Sequence, residues 1–359
     1  MKMPKQQLHD FDPNGVGQAN GQLFGLPFTP DTAGVVIVPV PWDVTVSYQE
    51  GTAKGPKAIL EASPQLDFFD PKIPQAWNIG IGMEAIDRKW EKRSKGLRKK
   101  SKRYIQWLEA GSLESERAEM EVLQADINEK CGFLFDWVKA TTAFHLEKGK
   151  LVGILGGDHS TPLGLMHALA ERNTDFGILQ IDAHMDLRDA YEGFDYSHAS
   201  IMFNALKIPQ ISKLVQVGIR DYCETEAQLA ADSQGRVEVF YDRELATAQF
   251  QGQIWQKSCE KIIKALPDKV YISFDIDGLD PKLCPGTGTP VPGGMEFEQA
   301  MYLIEQVAAS GRKIIGFDLC EVAPRKKDDW DANVGARVLY RMANLAYKSH
   351  DRKFTKTLG

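Results

Sequence analysis

Cysteine is scarce and scattered. Five residues (Cys131, Cys223, Cys259, Cys284 and Cys320) occur in a chain of 359, and no two form a CxxC pair. A disulfide scaffold or a thiolate zinc site is therefore disfavoured. Long apolar runs are missing as well: the longest, residues 35–42, contains Pro39 and Pro41 and is too short to span a bilayer. Residues 1–15 are polar and lack the apolar stretch of a secretory signal. Charge of one sign does not accumulate, since 43 Lys+Arg stand against 49 Asp+Glu for a net charge of −6. Nothing there favours a polyanionic partner such as nucleic acid. With 43% hydrophobic and 26% charged residues the chain is no disordered tract. A folded, soluble, cytoplasmic protein is the simplest expectation.

What is present is an alternation of short β-branched runs with longer amphipathic stretches. Strands are expected at 34–40, 77–81, 150–155, 176–182, 213–217, 237–241, 269–275 and 313–319. Most of these are apolar on both faces, as a parallel sheet covered by helices requires. Helices are clearest at 161–172, 253–266, 296–309 and 331–347. The pattern predicts an α/β fold, a three-layer αβα sandwich around a mainly parallel eight-stranded sheet. A single domain over 34–349 is expected, preceded by an extension (1–33) and followed by a tail (350–359).

One segment breaks the rhythm. Residues 86–103 hold ten Lys and Arg, and an acidic stretch with Glu114, Glu116, Glu119 and Glu121 follows. A nucleic-acid patch is one reading. Complementary charges on neighbouring exposed helices is the other, and the one favoured, within a helical insertion at about 86–130. Trp90, Tyr104 and Trp107 would anchor such a pair to the body or to another subunit.

Four segments place acids and histidines where strands end: Gly156-Gly157-Asp158-His159-Ser160, Asp182-Ala183-His184-Met185-Asp186, the run from Ser273 to Pro281, and Asp318-Leu319-Cys320-Glu321. Side chains two apart on extended backbone share a face, and in open parallel sheets sites form at the carboxyl ends of strands. His159, Asp182, His184, Asp186, Asp275 and Asp277 therefore meet in one crevice. Four carboxylates together repel without cations, and two divalent ions balance them. Oxygen-rich ligation with two imidazoles favours Mn²⁺, with nickel or cobalt as alternatives. Two such ions sharing a water make a hydrolytic nucleophile at neutral pH. Taken singly, an Asp-x-Asp or a His after Gly-Gly-Asp reads as a turn or cap; only the combination points to a metal centre. Asp158 and Asp280 read as groups that orient the ligands or cap helices.

The motifs GGDHS, DAHMD, SFDIDGLDP and DLCEVAP together resemble the ureohydrolase family of arginases, agmatinases and formimidoylglutamases. Residues 38–43, 51–59 and 285–294 add to the likeness, the last (PGTGTPVPGG) being most similar to agmatinases. The resemblance implies an arginase-like fold and two manganese ions per subunit. One would be held by His159, Asp182, Asp186 and Asp275, the other by Asp182, His184, Asp275 and Asp277. It also implies that Glu321 holds the substrate guanidinium and that His198 shuttles protons near the leaving amine, an imidazole of ordinary pKa suiting that task. A trimer or hexamer is implied too.

The departures from arginase concern the substrate tail. Arginase-like proteins place Asn where this chain has Arg188, and their Asp after the Gly-Leu-Arg-Asp segment is replaced by Cys223. The amino-acid clamp is thus absent, and agmatine, cleaved to putrescine and urea, becomes the expected substrate. Asp189, Glu192 and Asp195 are candidates to receive its amine. An Arg188 that faces the pocket would instead favour the acidic tails of guanidinobutyrate or formimidoylglutamate. Guanidinase and arginase activities complete the enzymatic alternatives. A catalytically silent homologue that binds a partner through the insertion is the non-enzymatic one.

Overall fold

The computed structural model describes residues 11–351; the first ten residues of the expected extension and residues 352–359 of the expected tail lie outside it. Eight strands form one sheet: β1 (Val35–Pro39), β2 (Ile81–Met83), β3 (Leu151–Leu155), β4 (Phe176–Ile181), β5 (Ile211–Ile219), β6 (Val237–Tyr241), β7 (Lys269–Asp275) and β8 (Lys313–Cys320). Their order is β2-β1-β3-β8-β7-β4-β5-β6 and every pairing is parallel. The strands connect through α1 (Gly55–Ala62), α2 (Arg88–Glu109), α3 (Arg117–Glu147), α4 (Leu163–Ala170), α5 (Ile201–Ala205), α6 (Glu224–Asp232), α7 (Asp242–Phe250), α8 (Trp255–Ala265), α9 (Phe297–Ala309) and α10 (Trp330–Lys348).

Alternation along the strands divides the core into two. In β7, Val270, Ile272 and Phe274 join residues from α1, α8, α9 and α10 on one face. Tyr271 joins Val152, Ile154 and Ile178 with residues from α2, α3, α4 and α5 on the other. The result is a three-layer αβα sandwich, because each strand face is apolar enough to need its own helical cover.

The strand expected at 77–81 starts only at Ile81. Residues Ala76–Ile79 make a turn of 3-10 helix, and Gly80, at φ +78, turns the chain into the sheet. Its carbonyl accepts from Gly34 and Val35, which fixes where β2 joins β1. Glycine takes that backbone geometry at little cost.

The basic and acidic stretches form α2 and α3, and α3 runs to Glu147, beyond the expected end of the insertion. Arg103 makes a two-pronged pair with Glu119 at 2.6 and 2.7 Å, and Lys100 meets Asp126 at 2.7 Å. Trp90, Tyr104 and Trp107 are buried. The hairpin also holds two loops of the body. Ser101 Oγ donates to the Val44 carbonyl at 2.5 Å, while Gln124 and Asn128 donate to the Gly193 carbonyl at 2.6 and 3.0 Å. No helix among the described residues is long and apolar enough to cross a membrane.

Candidate active site

The four central strands β3, β8, β7 and β4 lie side by side, and their carboxyl ends deliver His159, Glu321, Asp275 with Asp277, and Asp182 with His184 and Asp186. His159 Nδ1 stands 3.0 Å from Asp182 Oδ2, 3.0 Å from Asp186 Oδ2 and 3.4 Å from Asp275 Oδ2. His184 Nδ1 is 3.5 Å from Asp182 Oδ1 and 3.2 Å from Asp277 Oδ2. Two groups with metal-holding spacing result: His159, Asp182 and Asp186, and then Asp182, His184 and Asp277, with Asp182 common to both. All six residues singled out in the sequence thus share one crevice.

The local backbone explains how they converge. The loop after β3 turns tightly under Trp42, and a Cβ on Gly157 would collide with the Trp42 carbonyl. Asp158 N donates to that same carbonyl at 2.7 Å, which aims His159 at the sheet. Asp186 and Glu321 adopt left-handed backbone, at φ 54 and 66, a costly geometry for residues with a Cβ and one that gathers at functional sites.

Burial sets the electrostatics. Asp186 is pushed up to about 7 by desolvation and by repulsion from Asp182. Asp275 is raised by burial, then by Asp277 and Asp182. Burial opposes charge on His159 and His184 too, yet the carboxylates around them win and hold both imidazoles well above their usual range. His159 Nδ1 and Asp277 Oδ2 are buried with no hydrogen-bond partner. Buried ligand atoms of this kind, converging and unsatisfied, fit divalent cations.

Behind the ligands runs a row of buried polar side chains that sequence reasoning did not assemble. Gln216, Gln180, Ser273 and Asp318 stand in register on adjacent strands β5, β4, β7 and β8. Gln216 Nε2 donates to Gln180 Oε1 at 2.6 Å, and Gln180 Nε2 donates to Asp182 Oδ2 at 2.8 Å. His159 Nε2 meets Ser273 Oγ at 2.9 Å, and Ser273 in turn donates to Asp318 Oδ2 at 2.9 Å. Such partners fix the rotamer and tautomer of a metal ligand. Asp158 and Asp280 stand apart from this row: Asp158 accepts from Ser160 and Thr45, and Asp280 accepts from Lys282 N.

The crevice opens into a cavity of about 160 Å³ lined by His198, Glu321, Arg188, Tyr191, Asp221 and Glu226 among others. Glu321 Oε1 accepts from His159 N at 2.8 Å, while Oε2 is buried without a partner. Gly288 faces that oxygen, and a Cβ there would stand 2.8 Å from it. His198 lies on another wall, its backbone N donating to Thr45 Oγ1 at 3.2 Å. The ordinary imidazole pKa expected for it is not found: burial, and then the charges of His184 and His159, push it down to about 3.

The residues expected to receive the tail are elsewhere. Asp189, Glu192 and Asp195 do not line the cavity, because Ala190 and Glu192 turn the chain in left-handed backbone and Gly193 is held out against α3. Asp221 and Glu226 line it instead. Arg188 also reaches the cavity, with its guanidinium 4.7 Å over the Tyr191 ring and Nε 3.6 Å from Glu226 Oε2. Asp221 has no cation of the protein within ion-pair distance among the described residues. Its signal in the sequence was its place two residues after β5, a strand-end acid like the others.

The model of the arginase family matches residues 33–344. The N(1)-aminopropylagmatine ureohydrolase of Thermus thermophilus is 32% identical over 306 residues, covering 84% of this chain and 87% of that protein. An agmatinase of Bacillus anthracis is 27% identical over 290 residues, covering 81% and 83%. Among solved structures, the proclavaminate amidino hydrolase of Streptomyces clavuligerus superposes with a TM-score of 0.70 at 21% identity, covering 94% of this chain and all of that one. That last likeness speaks for the fold.

Proposed function

The chain belongs to the arginase family and is an amidinohydrolase of guanidino compounds, and from that premise we propose that its substrate is agmatine, released as putrescine and urea. The observation that carries the cationic tail is the unpaired Asp221 on a cavity wall where Arg188 is already answered by Glu226. One protein cation against two carboxylates leaves that wall net negative, which suits an ammonium and opposes a carboxylate.

His159, Asp182, Asp186 and Asp275 are assigned to one Mn²⁺, and Asp182, His184, Asp275 and Asp277 to the other. When bound, the ions supply Lewis acidity and lower the pKa of water to near neutrality. The protein's own groups do the rest. Glu321 offers its unpartnered Oε2 to the guanidinium, whose planar N–H groups it aligns by charge-assisted hydrogen bonds. Asp182, held by Gln180 and the His184 amide, and Asp275, held by the Asp277 amide, keep the ligand geometry fixed during turnover. His198 is assigned to carry the proton that the attacking water loses to the departing amine, which cannot leave as an anion; with a pKa held low by burial it is a strong donor once protonated and no resident base.

A second reading rests on the cavity mouth, where Asp221 and Tyr222 are solvent-exposed. A tail longer than that of agmatine would pass between them, as in the substrate that names the Thermus thermophilus relative. Urea release by Mn²⁺-loaded protein decides, with agmatine, N(1)-aminopropylagmatine, guanidinobutyrate, arginine and guanidine compared at equal concentration. Preference for either amine-tailed compound supports the pocket assignment and separates the two readings. Preference for guanidinobutyrate moves specificity to Arg188, and no urea from any of the five overturns the proposed substrate class.

A further inference from the structure

The buried stripe of α2 carries two residues that packing alone does not explain. Trp90, Ser94, Leu97, Ser101 and Tyr104 recur at helical spacing and are all buried. A hydroxyl on such a stripe costs stability unless it is hydrogen-bonded. Ser101 Oγ lies 3.1 Å from the Arg98 carbonyl of its own helix, but the Val44 carbonyl is closer, at 2.5 Å. Ser94 Oγ accepts from Asp43 N at 3.1 Å and donates to Asp43 Oδ1 at 3.2 Å. Arg98 ties the same loop farther on, at 3.3 Å from the Val44 carbonyl and 3.3 Å from Glu50 Oε1. Between these anchors Thr45 Oγ1 accepts from His198 N, and Ser47 lines the guanidino cavity.

The other helix of the hairpin holds the segment that leads into His198. The Gly193 carbonyl accepts from Gln124 and Asn128, and Asp195 N donates to Asn128 Oδ1 at 3.1 Å. The Phe194 ring packs on Tyr104 with centroids 5.3 Å apart, and Tyr196 stacks on Phe135 at 5.7 Å. Every residue from 193 to 196 thus has a partner on the hairpin. Just before them, Ala190 and Glu192 stand in left-handed backbone, a geometry that persists only where neighbours impose it. His198 stands where the two held segments meet.

We propose that the α2–α3 hairpin is a positioning element of the active site, whose residues Ser101 and Asn128 fix His198 from two sides. Ser101 acts through Val44 and Thr45, and Asn128 through the backbone of Gly193 and Asp195. The inference rests on the proton-carrying role given to His198. Proton delivery depends steeply on geometry, and a displacement of about 1 Å far from the chemistry costs on the order of 10²-fold in rate. Neither Ser101 nor Asn128 lines the guanidino cavity, so the hold on the substrate does not pass through them.

Ser101→Ala and Asn128→Leu, alone and together, should speed amide hydrogen exchange in residues 43–50 and 193–199 by about tenfold or more, read by mass spectrometry on the full Mn²⁺-loaded chain. With the guanidino compound that the wild type cleaves best, kcat should fall about tenfold or more while KM stays within about twofold. In a His198→Ala background the same substitutions should lower kcat no further. Arg103→Gln, which opens an exposed ion pair inside the hairpin, should alter neither reading. Unchanged exchange in both segments would overturn the clamp itself. Faster exchange with kcat at the wild-type level, or a further loss of kcat in the His198→Ala background, would overturn its part in catalysis. A His198→Ala variant as active as the wild type would instead remove the proton-carrying role, and this inference with it, whatever the exchange rates.

Discussion

Gln180 Nε2 donates to Asp182 Oδ2 at 2.8 Å, and the two residues stand two apart on the same face of β4 and its extension. The neutral amide thus holds the carboxylate common to both ligand groups, and Gln216 holds the amide in turn. Asp182 is kept below the usual carboxylate range although burial alone would raise it, because His159 and His184 outweigh that penalty. Ionised, it is ready to accept a cation.

Replacing Gln180 by Met keeps volume and removes its hydrogen bonds with Asp182, the His184 carbonyl and Gln216. Metal affinity should fall about 10- to 100-fold, the range for losing a group that orients a ligand. Competition for Mn²⁺ with a chelating dye measures it. Unchanged affinity would deny the polar row its role.

Asp221→Asn removes the unpaired carboxylate at the tail wall without changing its shape. KM for agmatine should rise about tenfold or more while kcat changes little, since the ammonium lies away from the reacting carbon. Steady-state urea assays on agmatine and guanidine separate the effects, because guanidine has no tail to lose.

Glu321→Gln should leave Mn²⁺ content intact and lower kcat/KM by on the order of 10² or more, because an amide cannot pair with the guanidinium as a carboxylate does. Metal analysis of the dialysed protein beside the urea assay checks both halves. Loss of metal from the variant would instead make Glu321 part of the scaffold through His159 N.

Glu192, at the bend against α3, is pushed up to about 7 by burial and then by Glu109. Its folded-state pKa lies above its unfolded one, so between about pH 4.5 and 7 the folded protein holds the extra proton. Stability from this group therefore falls as pH rises through that window. Glu192→Gln should raise the melting temperature at pH ~8 and change it little at pH ~4, read by differential scanning calorimetry.

Legibility in the sequence followed the range of the physics. The crevice of candidate ligands was readable because each stands at a strand end, most with a partner two residues away, a purely local geometry. The alternating apolar runs likewise give the sheet and its two covers. Gln180 and Gln216 were not readable as a pair, because only the register of β4 with β5 brings them together. The same holds for Ser273 and Asp318 across β7 and β8. Asp189, Glu192 and Asp195 looked closest to the site along the chain, yet the pull of Gln124 and Asn128 on Gly193 turns that loop toward the hairpin. Residues 77–81 failed as a strand for a local reason that the apolar pattern concealed, the φ of Gly80.

The parallel order of the sheet has a consequence for how the chain reaches its native state. β3, which delivers His159, hydrogen-bonds directly to β8, which delivers Glu321, although β4 to β7 intervene in sequence. Contacts of such long sequence separation form slowly, since the entropy of closing the loop is lost before any contact repays it. The ligand set is therefore incomplete until the central strands have all docked. A divalent ion meeting the nascent chain would find only partial sets and hold them weakly; once the sheet closes, the same ion binds a finished site and slows its reopening. Assembly then precedes capture, and refolding with Mn²⁺ added early or late is expected to give the same final yield of active protein.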